Sequence, residues 1–412
     1  MTATLLEMPS GNKLSHQPCQ RLPGTWLQVL SHLDRKYGGL SAVVPALAAE
    51  LRARQKVSTR LAAFCAPGEN TGERAADVSI WPASHSQWVA QSALRRNFAQ
   101  TVAGCDGVHI HGLWDASSVW AATAARQAKK PYLVSAHGML EPWALEQKAL
   151  KKRVYGALVE RRTLDGAACL HALTTAEADD YRRFGCTRPI AVIPNAVEAP
   201  RTIDCDLVRS KFPAVAGKRI VLFLGRLHIK KGIELLLEAW ASVQTDHPDA
   251  VLMLAGPGEE SYVRSLRARA ADLRIAEHVL FADMLQGDAK WSALQAAHVF
   301  VLPSYSEGLS VATLEALCAG TPVIVTDACH LPEVAEAECG WTIATAVQPL
   351  EQALHASLDA TPDERQTMSG KARQLANHRF SWRTVSEQIA ELYSCVLGGG
   401  IPQRSHYLGG AQ

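Results

Sequence analysis

The chain has no C-x-x-C pair: its ten cysteines are scattered over 412 residues without regular spacing, which gives no basis for a zinc ribbon or a disulfide framework. Cys169 and Cys318 sit inside apolar runs, where a thiol behaves as a small hydrophobe, and a reducing cytoplasm suits them. No charged-then-apolar leader opens the sequence. No stretch reaches the roughly 18 apolar residues of a spanning helix. These absences predict a cytoplasmic protein, with any membrane contact made peripherally at the inner face of the cytoplasmic membrane. Charge of one sign is also lacking, since the formal balance is +2, so nucleic acid is not an indicated partner. There is no internal repeat and no low-complexity tract.

What is present reads as a folded, two-domain α/β chain. Hydrophobic residues make up 48% and charged residues 20%, the balance of a globular protein, and the length exceeds one ordinary core. In the first half, strand-like runs at 26–31, 57–64, 107–111, 132–136, 168–174 and 190–193 alternate with helix-like stretches at 40–54, 117–128 and 142–164. A polar segment with Pro200 follows at 195–206, as a linker should. The pattern then restarts, with strands expected at 219–225, 251–255, 279–281, 299–302 and 323–326 and a helix at 233–244. Ser381 is a plausible N-cap for a last helix at 382–397. Such alternation predicts parallel sheets covered by helices, in a domain of residues 1–200 and another of 201–380. The Gly-rich residues 398–412 are expected to be a disordered tail. Ligands bind beyond the carboxyl ends of parallel strands, so the cleft between two such domains is the expected site.

Two motifs in the second half carry chemistry. In the first, VLFLGRLHIKKG at 221–232, Gly225 ends a buried strand and Gly232 opens a helix, with Arg226, His228, Lys230 and Lys231 between them. A helix N-terminus attracts anions, and an arginine fork beside a lysine point charge suits a diphosphate. A merely solvated basic loop would oppose the helix dipole, which favours the anion reading. The second motif, PSYSEGLSVATLEALCAG at 303–320, has Glu307 in a loop and Glu315 eight positions later in a helix capped by Ser310. The amides of Gly308, Leu309 and Ser310 suit an oxyanion. Carboxylates so near a phosphate site make sense as acceptors for hydroxyls of the donor sugar (Glu307) and ribose (Glu315). Spacing alone leaves Glu315 equally readable as a surface glutamate near a helix start.

The ordered pair of motifs resembles that of family-4 retaining glycosyltransferases, which have a strand-Gly-Arg…Lys-Gly loop followed by an E-x7-E motif. The resemblance extends to Gly38 and Gly39, the HGMLEPW segment at 137–143, IPN at 193–195, LAGPG at 254–258 and FSW at 380–382. It implies a GT-B fold: two doubly wound Rossmann-like domains facing a central cleft, with residues 381–397 crossing back onto the first domain. It implies transfer of a sugar, with retention, from a nucleotide-diphosphate sugar to a saccharide or lipid-linked acceptor, as in polysaccharide or lipopolysaccharide biosynthesis, without a metal or other cofactor. Arg226 and Lys231 would hold the diphosphate, Glu307 the sugar, Glu315 the ribose, and Gly38 and Gly39 would close from the first domain. His137 matches the family's active-site histidine. Glycines common in the family are replaced by Ala196, Ala282, and the Cys329, His330 pair, the last two changes near the expected donor pockets.

Some features keep other readings open. Without the resemblance, His137 reads better as a buried histidine satisfied by backbone. His109 and His111 lie on one side of a strand; His111 is a weak acceptor-site candidate, and His109 reads as structural. Trp143 and Leu145 beside Lys151, Lys152 and Arg153 could rest on an anionic bilayer, although an ordinary packed amphipathic helix is the simpler reading. A nucleotide-sugar epimerase, a glycoside phosphorylase and a binding-only protein share the architecture. Gly256 and Gly258 lack the third glycine of a dinucleotide site, which argues against an oxidoreductase.

Overall fold

A computed structural model describes residues 24–33, 39–65, 78–82, 92–146, 155–398 and 406–408. Two twisted sheets organise them. The first comprises β1 (Thr25–Leu30), β2 (Ser58–Cys65), β3 (Val78–Pro82), β4 (Gly107–His111), β5 (Tyr132–Ser135), β6 (Cys169–Ala172) and β7 (Ile190–Val192). The second comprises β8 (Arg219–Leu224), β9 (Ala250–Ala255), β10 (Val279–Ala282), β11 (Ala297–Leu302), β12 (Val323–Thr326) and β13 (Gly340–Ile343). Within the second sheet the order is β10-β9-β8-β11-β12-β13, and all of its pairings are parallel. The first runs β7-β6-β5-β4-β1-β2-β3, also parallel, with β14 (His406–Leu408) added antiparallel on β7. That strand occupies part of the 398–412 stretch expected to be disordered.

The sequences of β8, β9 and β11 are almost wholly apolar because helices cover both faces of a parallel sheet. Ile220, Val221, Leu222 and Phe223 have no exposed surface. Each sheet reverses its strand order once, between β1 and β4 in the first and between β8 and β11 in the second. Crevices for ligands open at the carboxyl ends of such switch strands. Both donor-type motifs follow from that rule: β8 runs into the Gly225 loop and β11 into the Pro303 loop.

The final helix, Trp382–Gly398, returns to the first sheet as expected. Trp382, Val385, Ile389, Leu392 and Tyr393 recur at helical spacing and form one stripe. They pack with Trp26, Leu133 and Ala191 of the first sheet and with Val43, Leu47 and Leu51 of the helix Leu40–Gln55. Burying each such side chain contributes about 1.5–3 kcal/mol. Ser381 caps the helix, its hydroxyl accepting from Thr384 N at 3.3 Å. Among the described residues no helix is long and apolar enough to cross a membrane, and the described cysteines form no disulfide.

Candidate active site

The two motif loops are laced together before they meet the other domain. Gly232 ends the turn Ile229–Lys231 and starts the helix Ile233–Asp246 at φ 66°. A Cβ there would lie 2.1 Å from the Pro303 carbonyl oxygen, so only glycine allows the first loop to reach the second. Tyr305 N donates to Lys230 O at 2.9 Å. In the resulting pocket Lys231 Nζ lies 2.5 Å from Glu307 Oε1, to which Ser304 also donates at 2.7 Å. Glu307 is buried, and this pairing offsets the cost of its charge. Arg226 is exposed on the same loop. Burial, followed by the nearby Arg226 charge, lowers the pKa of His228.

Ser310 caps the helix Val311–Ala319, accepting from Thr313 N, and Gly320 ends it at φ 82°. Glu315 sits on that helix in an ion pair with Lys290 Nζ at 2.5 Å, a partner from the helix Gly287–Ala296 that spacing did not reveal. His330, where the resemblance leads to an expectation of glycine, adopts φ 51°. The left-handed geometry is therefore kept without a glycine there.

The first domain approaches this pocket through the turn after β5. His137 has φ 54°, a left-handed conformation that is costly for a residue other than glycine and recurs at functional sites, and Gly138 follows at φ 77°, which glycine adopts freely. A Cβ on Gly138 would lie 3.0 Å from the Gly308 Cα. Glu141, on the same turn, is buried and crosses between the domains. It pairs with Lys230 Nζ at 3.3 Å and accepts from the Ser306 hydroxyl, while its Oε1 is buried without a hydrogen-bond partner. Behind the turn, Glu177 accepts from Gly138 N at 2.7 Å and Leu173 N at 2.6 Å. Its burial raises its pKa to about 7. Glu141, Glu177 and the Gly138 contact are site features the sequence reading missed. Only the conspicuous HGMLEPW segment gave a signal for them.

Other expectations are corrected or only partly reached. Gly38 lies outside the described residues. Gly39 starts the helix Leu40–Gln55 at φ −61°, and a Cβ on it would meet Val311 Cγ2 at an ordinary 3.5 Å; no contact with the described residues demands glycine. A close approach between the backbones of the two domains occurs at Gly138 and Gly308. His111 is not a free acceptor-site group, because both ring nitrogens are bonded, to His137 Nε2 at 3.1 Å and Gln28 Oε1 at 2.8 Å. Trp143 is half-buried and lies against the second domain's basic loop. Its ring meets His228, with centroids 6.2 Å apart, and Lys230 Nζ lies 5.3 Å from its centroid, while Leu145 packs on the first domain's core. Lys151, Lys152 and Arg153 lie outside the described residues. A cluster with metal-ligand spacing, which local spacing could not reveal, joins His247, His355 and Asp359. It stands by the amino ends of β8 and β9, away from the cleft, with Arg219 Nη2 3.4 Å from His247 Nδ1.

Two family models match the chain, one in each half. Residues 38–196 match the glycosyl transferase 4-like domain, and residues 206–394 match glycosyl transferases group 1. A phosphatidyl-myo-inositol mannosyltransferase from Mycolicibacterium smegmatis is 31% identical over 216 residues, 51% of this chain and 53% of that protein. The chain spans about half the length of the curated relatives it matches. Among solved structures, sucrose-phosphate synthase from Thermosynechococcus elongatus superposes with a TM-score of 0.73 at 20% identity, covering 91% of this chain and all of that one. HepE from Anabaena, in complex with UDP-glucose, gives 0.72 at 20% identity, covering 90% and 99%. At these identities the structural likeness speaks to the fold.

Proposed function

Since the chain belongs to the family-4 glycosyltransferases of GT-B fold, we propose that it transfers a sugar, with retention of anomeric configuration, from a nucleoside-diphosphate sugar to a saccharide or lipid-linked acceptor. The observation that carries this reading is the Lys231–Glu307 pair, 2.5 Å apart at the second sheet's switch point. It sets a cation for diphosphate beside a carboxylate for sugar hydroxyls. The solved HepE structure with UDP-glucose supports a nucleotide-sugar donor.

In this reading Arg226 and Lys231 neutralise the diphosphate, together with amides of Gly308, Leu309 and Ser310 at the helix N-terminus. Glu307 accepts hydrogen bonds from the donor sugar and Glu315 from the ribose, for which Lys290 must release it. Gly38 and Gly39 close from the first domain, and His137 stands on the sugar's reactive side. The bond from the anomeric carbon to the diphosphate oxygen breaks as the acceptor oxygen bonds to that carbon on the same face. The acceptor's proton passes to the departing diphosphate. Charge compensation comes from protein groups, with no metal or other cofactor assigned a part. The acceptor enters on the first domain's side, from the cytoplasm or the inner membrane face, in polysaccharide or lipopolysaccharide assembly.

The test is incubation with UDP-, GDP-, ADP- and TDP-sugars plus acceptor glycans or glycolipids, followed by proton NMR of the product. Release of nucleoside diphosphate that depends on acceptor, with the donor's anomeric configuration kept, is expected. Inverted product would remove retention. Release dependent on inorganic phosphate alone would indicate a phosphorylase.

A further inference from the structure

Seven hydrogen bonds join His137 to the interior of the first domain in one unbroken line, and a group that can only accept ends it. The Ile193 carbonyl oxygen lies 2.7 Å from His171 Nε2, so that nitrogen must carry the hydrogen. Burial disfavours imidazolium at all four rings of the line, lowering the pKa of His171 to about 4, of His137 to about 3, and of His109 and His111 well below the usual value. A neutral ring that donates at one nitrogen accepts at the other. His171 Nδ1 therefore accepts from Ser135 Oγ at 2.6 Å, and Ser135 Oγ accepts from His109 Nε2 at 2.7 Å. His109 Nδ1 then accepts from the Tyr393 hydroxyl at 2.8 Å. The Tyr393 oxygen accepts from Gln28 Nε2 at 2.8 Å, and Gln28 Oε1 accepts from His111 Nε2 at 2.8 Å. Finally, His111 Nδ1 accepts from His137 Nε2 at 3.1 Å.

The line has one self-consistent direction. Turning the Gln28 amide over would reverse every bond and leave His171 Nε2 a lone pair facing the Ile193 oxygen. Tyr393 is the single contribution from outside the first domain, since it belongs to the helix Trp382–Gly398. Its ring stacks on Trp26, with centroids 3.8 Å apart at 12°, which holds the hydroxyl between His109 and Gln28.

We propose that Tyr393 is a positioning residue for sugar transfer, transmitting the direction of this buried line through Gln28 and His111 so that His137 is held as the Nε2–H tautomer. His137 then has Nδ1 as its only acceptor nitrogen and serves the donor as a neutral hydrogen-bonding group rather than as an acid. The inference rests on the functional reading of His137 given above, but the hydrogen-bond order stands apart from it.

The experiment is nitrogen-15 NMR on the full chain with ring-labelled histidine, which distinguishes the Nε2–H from the Nδ1–H tautomer, at pH 7. All four rings, His109, His111, His137 and His171, are expected as neutral Nε2–H. An Nδ1–H ring at His111 or His137 in the unaltered protein overturns the proposal, and this arm needs no variant. Tyr393→Phe keeps the stacking on Trp26 but removes the hydroxyl, so His111 and His137 should populate the other tautomer. With the nucleotide-sugar that the protein turns over, kcat should fall about tenfold while KM for that donor stays within about twofold. Unchanged tautomers in Tyr393→Phe, whatever the rate, refute the positioning role. Should this variant fail to fold, Ser135→Ala interrupts the same line and carries the same expectation. If no nucleotide-sugar is turned over, the functional reading fails while the ring tautomers still decide the hydrogen-bond order.

Discussion

Gly138 and Gly308 bring the backbones of the two domains together: a Cβ on Gly138 would lie 3.0 Å from the Gly308 Cα, and one on Gly308 would lie 3.1 Å from Gly138 N. The contact sets how the turn bearing His137 sits against the loop bearing Glu307. A methyl group at Gly138 must also fit 2.7 Å from Glu141 Oε1 at φ 77°. Gly138→Ala is therefore expected to lower unfolding free energy by about 1–3 kcal/mol. Gly39→Ala has φ −61° and an ordinary 3.5 Å contact, so it should change stability by less than about 0.5 kcal/mol. If Gly39 serves a bound donor, its alanine variant loses turnover without losing stability. Urea titrations of both variants, with rates alongside, check the contrast.

Glu315 is proposed to exchange its Lys290 partner for ribose hydroxyls. Glu315→Ala should weaken a nucleotide-sugar and its free nucleoside diphosphate equally, by roughly tenfold each, as expected for a charged hydrogen-bond acceptor of about 1.5 kcal/mol. Calorimetric titration with both ligands measures it. A loss confined to the nucleotide-sugar would move Glu315 to the sugar pocket.

Acid should leave the histidine line unprotonated. Burial lowers the folded pKa of all four rings, whereas the unfolded rings take up protons near 6.5. Their contribution is thus complete above about pH 6.5 and is lost as pH falls through it, at about 1.4 kcal/mol per ring per pH unit. Glu160 and Glu177, raised to about 7 by burial, act in the opposite sense, stabilising the fold as pH falls through 7. Denaturation midpoints sum these effects, so ring resonances are the cleaner readout. None of the four should titrate between pH 8 and 5.5.

The sequence disclosed what local pattern encodes. The continuous apolar runs of β8, β9 and β11 showed as buried strands, and the cap at Ser310 and stop at Gly320 bounded their helix closely. By contrast, β3 ends at Pro82 and β13, Gly340–Ile343, is half-buried throughout, so neither had the periodicity of a strand. The donor motifs were legible because their parts lie within 18 consecutive residues or fewer. Gln28 and Tyr393 are 365 residues apart, and Glu141 meets Lys230 from 89 residues away. No spacing rule links such pairs: the returning helix Trp382–Gly398 brings Tyr393 to Gln28, and the facing of the two domains brings Glu141 to Lys230. The surroundings of His111 were hidden for that reason: its strand position was visible, but not the partners at both of its nitrogens.

In the proposed reaction Lys231 and Glu307 form the donor's diphosphate-sugar site, and a thermal-shift screen with UDP-, GDP-, ADP- and TDP-sugars probes that site directly. A ligand that binds only the folded state raises its stability, by about 2.7 kcal/mol at a hundredfold excess over Kd. One of these donors should raise the melting temperature of the parent protein, and the shift should vanish in Lys231→Ala. A Lys231→Ala protein that is folded and shifts as far as the parent would contradict the account.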